Sequence, residues 1–113
     1  MTEQEVIPRV GDMYDPPHPG EVLKELHIKP LKLKIQEVAD RLGVERKAVS
    51  RLVNARTAVT PDMAMRIAKA FNTTPKLWLD MQCGYDLWHA KQRMKRELRQ
   101  ITPFSQEEYR PEA

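Results

Sequence analysis

The amino-acid sequence predicts an all-α fold of five helices, the last of them extended. Apolar residues recur every three or four positions through most of the chain, and no stretch shows the alternation of a half-buried strand. Residues typical of helix ends, Gly43, Thr60-Pro61 and Thr74-Pro75, separate the apolar stretches. Residues 35–54 stand out because they predict two short amphipathic helices joined by a tight turn at Gly43.

Length and composition narrow the class of protein. A chain of 113 residues provides one domain with a modest core, and no apolar run approaches the roughly 20 residues of a membrane-spanning helix. The first ten residues, MTEQEVIPRV, include two acids and lack the apolar stretch of a secretory signal. Cys83 is the single cysteine, so no internal disulfide forms, and we expect a cytoplasmic protein without a membrane partner.

Charge is distributed unevenly along the chain. The formal net charge is only +3, but residues 1–15 sum to −3, whereas residues 44–56 sum to +3 and residues 91–100 to +4. Basic patches of this kind suit a polyanionic partner. Solvated helix faces account for the charge alone equally well, so charge by itself does not indicate the function.

The chain divides into three predicted parts. We expect residues 1–17, which are acidic and end in the proline-rich YDPPHPG, to form a flexible arm. Residues 18–90 hold the helical domain, and residues 91–113 form a helical extension and tail. Two helix-start patterns after Thr102 leave a short helical turn and a disordered end equally open.

The first two helices are predicted from their ends and their apolar sides. The first begins at His18-Pro19, because proline suits the first helical position, and it ends at Lys29-Pro30. Its predicted apolar side consists of Val22, Leu23 and Leu26. The second helix begins at Lys34, ends at Leu42, and directs one stripe to the core: Ile35, Val38, Ala39 and Leu42.

Three more helices follow the turn at Gly43. The third covers residues 45–54 and turns its aliphatic side inward: Val44, Ala48, Val49, Leu52 and Val53. The fourth begins at Thr60-Pro61 and the fifth at Thr74-Pro75, because a hydroxyl before proline suits a helix start. The fifth is long, roughly 25 residues, with a break allowed for near Gly84.

The end of the fifth helix carries a sparse apolar row, which consists of Leu87, Met94, Leu98 and Ile101. We expect this row to be buried against the same chain, a second subunit or another protein. The basic side chains of residues 91–100 around it leave three readings open, namely contact with phosphate, contact with an acidic protein surface, or simple solvation.

The outer face of the third helix predicts DNA binding. Four residues, Arg46, Lys47, Ser50 and Arg51, lie on the face opposite the aliphatic side chains. A major groove about 12 Å wide admits one helix, and arginine or lysine can bind guanine O6 and N7 there. Asn54, Arg56 and Thr57, at the end of the helix and in the loop after it, are predicted phosphate contacts. The alternative is an ordinary bundle helix with a charged solvent face.

Four segments carry a resemblance to a known family. They are HPGEVL at 18–23, the two-helix unit at 35–54, NARTAVTPDMAMRIAKAF at 54–71 and TTPKLWLDMQCGYDLW at 73–88. Residues 19–90 therefore resemble the Cro/CI-type (XRE) helix-turn-helix domain and, more closely, the HigA/VapI-type antitoxins of bacterial toxin–antitoxin pairs. The resemblance implies a five-helix Cro/CI-like fold, a homodimer, operator DNA as ligand, and repression of its own operon. It also implies neutralisation of a small basic toxin, a RelE-like mRNA endonuclease.

The resemblance places base-reading positions on Arg46, Lys47, Ser50 and Arg51, and backbone-contact positions near Asn54, Arg56 and Thr57. Two positions depart from the family pattern. Glu45 stands where Ser or Thr commonly caps the recognition helix, and Ile35 replaces a Gln that often binds phosphate. We expect Lys32 or Lys34 to supply a backbone contact instead, and we take Lys34 as the candidate.

Other candidate sites give weaker signals. His18, His27, His89 and Cys83 have no metal-ligand spacing, so we expect neither a metal nor another cofactor. Trp78, Tyr85 and Trp88 fit a core or dimer stripe better than a platform for stacking bases. Cys83 is expected to be a packed thiol, and no paired carboxylates or phosphate loop indicate catalysis, so we expect no enzyme.

Three functions remain open at this point. The first is a repressor that is also a toxin antidote, and the second is a stand-alone XRE-type regulator without a toxin. The third is a protein-binding module that retains a helix-turn-helix without using it on DNA.

Overall fold

The computed structural model describes residues 15–105, in which helices are the only regular secondary structure. Its helices are α1 (Pro19–Leu23), which continues as a π-helical turn (Lys24–Ile28), α2 (Ile35–Leu42), α3 (Arg46–Val53), α4 (Pro61–Phe71), α5 (Pro75–Arg93) and α6 (Lys95–Arg99). The predicted all-α class is confirmed. Most of the predicted N-terminal arm and residues 106–113 of the tail lie outside the described residues.

The start of α1 follows from its HPGE sequence. The His18 ring accepts a hydrogen bond from the Gly20 N–H at 2.9 Å, and the Glu21 carboxylate accepts one from the His18 N–H at 3.2 Å. Pro19 occupies the first turn, where its missing N–H costs nothing. The predicted helix start at His18-Pro19 is therefore correct, and the reason is a reciprocal cap.

Gly20 lies against the end of α3. A Cβ built on Gly20 would stand 1.8 Å from the carbonyl oxygen of Leu52. Because that oxygen belongs to the backbone, no side chain can rotate away to make room for the added methyl. Glycine is therefore what allows α1 to pack directly on the last turn of α3.

The π-helical turn corrects one prediction about the first helix. Lys29 N–H donates to the Lys24 carbonyl, five residues earlier, at 2.9 Å. The wider turn shifts the register of the side chains that follow it. As a result Ile28 is buried, whereas Leu26, predicted on the apolar side with Val22 and Leu23, is 66% exposed.

The turn between α2 and α3 is closed by Gly43. This residue has a φ of 75°, and its N–H donates to the Ala39 carbonyl at 2.9 Å. Arg66 of α4 adds a second constraint, because its guanidinium donates to the carbonyl oxygens of Leu42 at 2.7 Å and Gly43 at 3.3 Å. The angle between α2 and α3 is thus held from outside the two helices.

Both threonine-proline helix starts are confirmed. Thr60 Oγ1 accepts from Met63 N–H, and Thr74 Oγ1 accepts from Leu77 N–H, each at 3.2 Å. Trp78, one turn into α5, is fully buried, and its Nε1–H donates to Thr73 Oγ1 at 2.7 Å. The indole therefore fills the core without leaving a donor unsatisfied.

The long last helix breaks at a different place from the one allowed for. α5 runs through Gly84 without interruption, and the break falls at Met94, which separates α5 from α6. Residues 101–105 are not helical, so no helical turn begins at Thr102. The described residues do not bury the apolar row, because all four of its members are exposed, namely Leu87, Met94, Leu98 and Ile101. Phe104, which follows the row, is exposed as well.

The core lies where α1 to α5 meet. Its buried apolar side chains are Leu23, Ile28, Val38, Ala39, Leu42, Val49, Leu52, Val53, Val59, Ala64, Ile67, Ala68 and Trp78. The stripes predicted for α2 and α3 supply six of the thirteen (Val38, Ala39, Leu42, Val49, Leu52 and Val53). Among residues 15–105, no helix combines the length and apolar character needed to cross a membrane.

Candidate nucleic-acid interface

Helix α3 presents one buried and one exposed side. Val49, Leu52 and Val53 are buried, with Val49 fully inaccessible to solvent. The opposite side carries the predicted base-reading residues, of which Arg46, Lys47 and Arg51 are exposed and Ser50 is half-buried. The side chains predicted to read bases therefore share one accessible face, and the aliphatic side fixes α3 in the bundle.

Within the described part of the chain, the cations of this face, and Arg56 in the loop beside it, have no acidic partner. Within residues 15–105, ion pairs join Glu25 to Lys29 and Asp80 to Lys76, and a carboxylate oxygen of Asp15 lies 3.9 Å from His89 Nε2, a contact that is an ion pair only when the ring is protonated. None of them involves Arg46, Lys47, Arg51 or Arg56. These four positive charges are free to meet an external anion, which is the electrostatic condition for binding phosphate.

The end of α3 is shaped by three local hydrogen bonds. Arg56 N–H donates to the Arg51 carbonyl at 2.8 Å, and Ala55 N–H donates to the Leu52 carbonyl at 3.0 Å. Asn54 Nδ2 donates to the Ser50 carbonyl at 2.8 Å. This closure places Ala55 at a φ of 59°, a left-handed conformation usually taken by glycine. The chain turns sharply here and leads into the loop of residues 54–60.

Two buried polar side chains hold that loop. Gln82 of α5 accepts a hydrogen bond from the Val59 N–H through Oε1 at 2.8 Å. The ring of His18, which is 3% exposed, lies near the backbone of Thr57, which acts to raise the pKa of the ring. The side chains of Asn54, Arg56 and Thr57 nevertheless remain exposed. The predicted backbone-contact residues thus lie on a loop whose backbone is fixed and whose side chains are accessible.

The His18 ring is kept neutral by its surroundings. Burial lowers its pKa below the ordinary value of 6.5, although the nearby carboxylate of Glu21, the Thr57 backbone and Asp86 each act in the opposite direction. Neutrality matters because the ring accepts the Gly20 hydrogen bond at Nδ1, and a proton on that nitrogen would remove the acceptor.

The two residues that depart from the family pattern, Ile35 and Glu45, lie at the starts of α2 and α3. Glu45 precedes α3 without a side-chain cap. Lys34 precedes α2, and its backbone N–H donates to the Glu37 carboxylate at 2.8 Å. The Lys34 side chain is exposed, which leaves its ammonium accessible, while Ile35 beside it is half-buried.

Three residues that shape this surface were not predicted for that role. Arg66 fixes the α2–α3 turn, and His18 and Gln82 fix the loop after α3. A signal for Gln82 exists in the sequence, because it lies four residues after Trp78 and three before Tyr85 on the inward stripe of α5. A polar residue in an apolar stripe indicates a specific hydrogen-bond partner.

The histidines and aromatic residues among the other candidates contact one another, whereas Cys83 does not pack. The described residues contain no group of three or more His, Cys, Asp or Glu side chains arranged to hold a metal ion. The ring centroids of His18 and His89 lie 4.8 and 4.3 Å from the centroid of the Tyr85 ring. The centroid of the His27 ring lies 5.7 Å from that of Trp78. Trp78 is a core residue, whereas Tyr85 and Trp88 are half-buried. Cys83 is exposed, so the prediction of a packed thiol was wrong.

Comparison with known proteins gives consistent matches. Residues 23–78 match the protein family described as Helix-turn-helix. An Escherichia coli K12 protein, named as the uncharacterized HTH-type transcriptional regulator YbaQ, is 42% identical over 80 residues, which are 71% of each chain. Antitoxin HigA-1 of Vibrio cholerae is 33% identical over 85 residues, which are 75% of this chain and 80% of the antitoxin.

A solved structure extends the likeness to the fold. Antitoxin GraA in complex with its operator is 32% identical, with a TM-score of 0.77 over 83% of this chain and 96% of GraA. These relatives are named as regulators and antitoxins rather than as enzymes.

Proposed function

Because the chain belongs to the HigA-type antitoxin family of XRE-type helix-turn-helix proteins, we propose that it is a sequence-specific DNA-binding repressor and the antitoxin of a toxin–antitoxin pair. In this proposal residues 18–90 are the DNA-binding domain, which acts in the cytoplasm as a homodimer on operator DNA. The dimer represses its own operon. The second partner is a small basic toxin, a RelE-like mRNA endonuclease.

The exposed face of α3 is the observation that carries the proposal. Arg46, Lys47 and Arg51 project away from a helix whose other side is locked in the core, and none of them is paired with a carboxylate in the described chain. A rigid helix with such a face fits a major groove, where arginine and lysine bind guanine. Ser50, on the same face, adds a hydroxyl for either base of a pair.

Backbone contacts complete the proposed interface. Phosphates on one side of the groove would be bound by three residues of the loop after α3, namely Asn54, Arg56 and Thr57. Lys34, which precedes α2, would bind a phosphate on the other side. Phosphate neutralisation would supply most of the affinity, which therefore falls steeply as salt rises. Two protomers would place their α3 helices in successive major grooves about 34 Å apart.

A DNA titration tests the proposal. Fluorescence anisotropy with a duplex from the region upstream of the gene is compared with a scrambled duplex of equal length. We expect Arg51→Ala to weaken operator binding by about 1–3 kcal/mol and to reduce the preference over scrambled DNA. Arg41→Ala, a change of an exposed arginine on α2, is the matched control. Equal affinity of the unaltered protein for both duplexes would instead favour the protein-binding module.

The toxin part of the proposal has its own test. Purification of the tagged chain from its native cells should bring down a small basic protein encoded by the neighbouring gene. Expression of that neighbour alone should arrest growth, and co-expression of this chain should restore it. Failure of the neighbour to bind would remove the antitoxin role and leave the repressor role standing.

A stand-alone regulator is the second candidate function. The E. coli relative at 42% identity is named as a transcriptional regulator and not as an antitoxin, which favours this alternative. The two candidates differ in the gene next to this one, because only the first requires a small basic toxin there.

A further inference from the structure

We infer that Gln82, in the middle of α5, is a positioning residue for DNA-backbone contact. It would act by fixing the loop that carries Arg56 and Thr57. The inference rests on the proposed function and extends it to a residue that lies on a different helix from the DNA-facing surface.

Gln82 is polar at a place where packing alone would favour an apolar side chain. It is only 7% exposed, and its neighbour on the same inward stripe, Trp78, is fully buried. A buried amide needs partners, and it finds both of them: Oε1 accepts from Val59 N–H at 2.8 Å, and Nε2 donates to Asp86 Oδ1 at 3.0 Å. The first bond joins residues 23 positions apart and ties the loop to α5.

The bond to Asp86 sets the orientation of the amide. Because the carboxylate of Asp86 can only accept, it holds the Nε2 end of the amide and turns Oε1 toward Val59. The Gln82–Asp86 pair, one turn of α5 apart, therefore presents an acceptor to the loop in a single orientation.

The loop needs an external restraint because its own conformation is unfavourable. Ala55 is left-handed, a state that costs an L-residue energy unless the surroundings impose it. The buried His18 ring lies near the backbone of Thr57, and Gln82 accepts a hydrogen bond from the backbone two residues later, at Val59. Between Ala55 and Val59 the side chains of Arg56 and Thr57 are exposed. Without the Gln82 restraint, the loop would still be tethered but would lose one of its two fixed points.

The salt dependence of DNA binding separates positioning from general stability. Gln82→Met keeps the length of the side chain and removes the acceptor for Val59 N–H. We expect the slope of log affinity against log salt to become shallower by about 2, since each lost phosphate contact removes about 0.9 and two protomers each lose one. Affinity should fall by about tenfold or more for operator and scrambled duplexes alike, because a charge-assisted contact is lost but α3 still reads bases.

Four further variants make the result decisive. Leu79→Ala, which weakens core packing on the same helix, should lower the thermal midpoint but leave the salt slope unchanged. Arg56→Ala should reduce the slope as Gln82→Met does, and combining the two changes should reduce it no further. The pair Gln82→Glu with Asp86→Asn reverses the donor and acceptor between positions 82 and 86 and keeps an acceptor for Val59, so it should restore the slope.

An unchanged salt slope in Gln82→Met overturns the inference, as does a full additional loss when Arg56→Ala is added. If Gln82→Met does not fold, the double variant Gln82→Glu with Asp86→Asn provides the test. A folded double variant whose salt slope is still shallow contradicts positioning through this acceptor. Failure of the proposed function is a separate result, in which the unaltered chain shows no preference for its operator.

Discussion

Replacing Gly20 by alanine tests the contact that joins α1 to α3. The added Cβ would lie 1.8 Å from the Leu52 carbonyl oxygen and 2.6 Å from the carbonyl carbon. Since an ordinary contact is at least about 3.4 Å, α1 and α3 must separate by more than 1 Å. Overpacking typically costs about 1–3 kcal/mol, and a backbone obstacle places this change at the upper end of that range.

The assay is urea unfolding followed by circular dichroism. We expect Gly20→Ala to lower the unfolding free energy by about 2–3 kcal/mol, which corresponds to a fall in the thermal midpoint of roughly 10–20 °C for a domain of this size. Gly43→Ala is the matched control. It is strained by a φ of 75°, but it meets only the movable Arg66 guanidinium at 3.1 Å, so it should cost less. Wild-type stability in Gly20→Ala would refute the close α1–α3 contact.

Two other changes probe the same part of the fold. Ala55→Gly should raise the unfolding free energy by about 0.5–1 kcal/mol, because relief of about 1–2 kcal/mol of left-handed strain exceeds the added entropy of the unfolded chain. Any loss of stability in the urea assay would contradict that conformation. The pKa of His18 is lowered in the folded state, so the unfolded chain binds more protons than the folded chain as the pH falls. The free energy of unfolding should therefore decrease as the pH drops below 6.5. His18→Asn keeps an acceptor for the Gly20 N–H and should flatten this pH profile, and an equally steep profile would assign the effect to other groups.

Local chemistry made the helix starts predictable from the sequence. The caps at His18, Thr60 and Thr74 depend on neighbours within three residues, so their geometry follows from the sequence around them. The two faces of α3 were likewise predictable, because a helix that packs on one side must sort its apolar and polar residues by a period of 3.6.

Features that depend on unusual helix geometry were not predictable in this way. Leu26 was placed on the apolar side by counting in an ordinary helix, but the π-helical turn changed the register. A helix break was allowed for near Gly84 because glycine is a weak helix former. The break lies instead at Met94, where no residue in the sequence indicates a helix end. The exposure of the apolar row from Leu87 to Ile101 was not predictable either, because periodicity identifies an apolar side of a helix but not the surface against which that side packs.

The residues that hold the candidate site in place depend on tertiary contacts. Arg66 donates a hydrogen bond to the carbonyl of Gly43, which lies 23 positions earlier in the sequence. Gln82 accepts one from the N–H of Val59 over the same sequence separation. Periodicity within one helix identifies neither partner. The exposed side of α3 was therefore easier to predict than the side chains that hydrogen bond to the turn and the loop beside it.

The most direct test of the DNA-binding face is to observe the backbone amides of the protein while DNA is added. In an NMR titration with a duplex from upstream of the gene, we expect the largest amide shift changes in residues 46–57. Residues 75–82 of α5, apart from the Gln82 contact, should change little. Large changes confined to residues 87–104, with residues 46–57 unmoved, would contradict the account, because the duplex would then be bound by the C-terminal extension and not by α3.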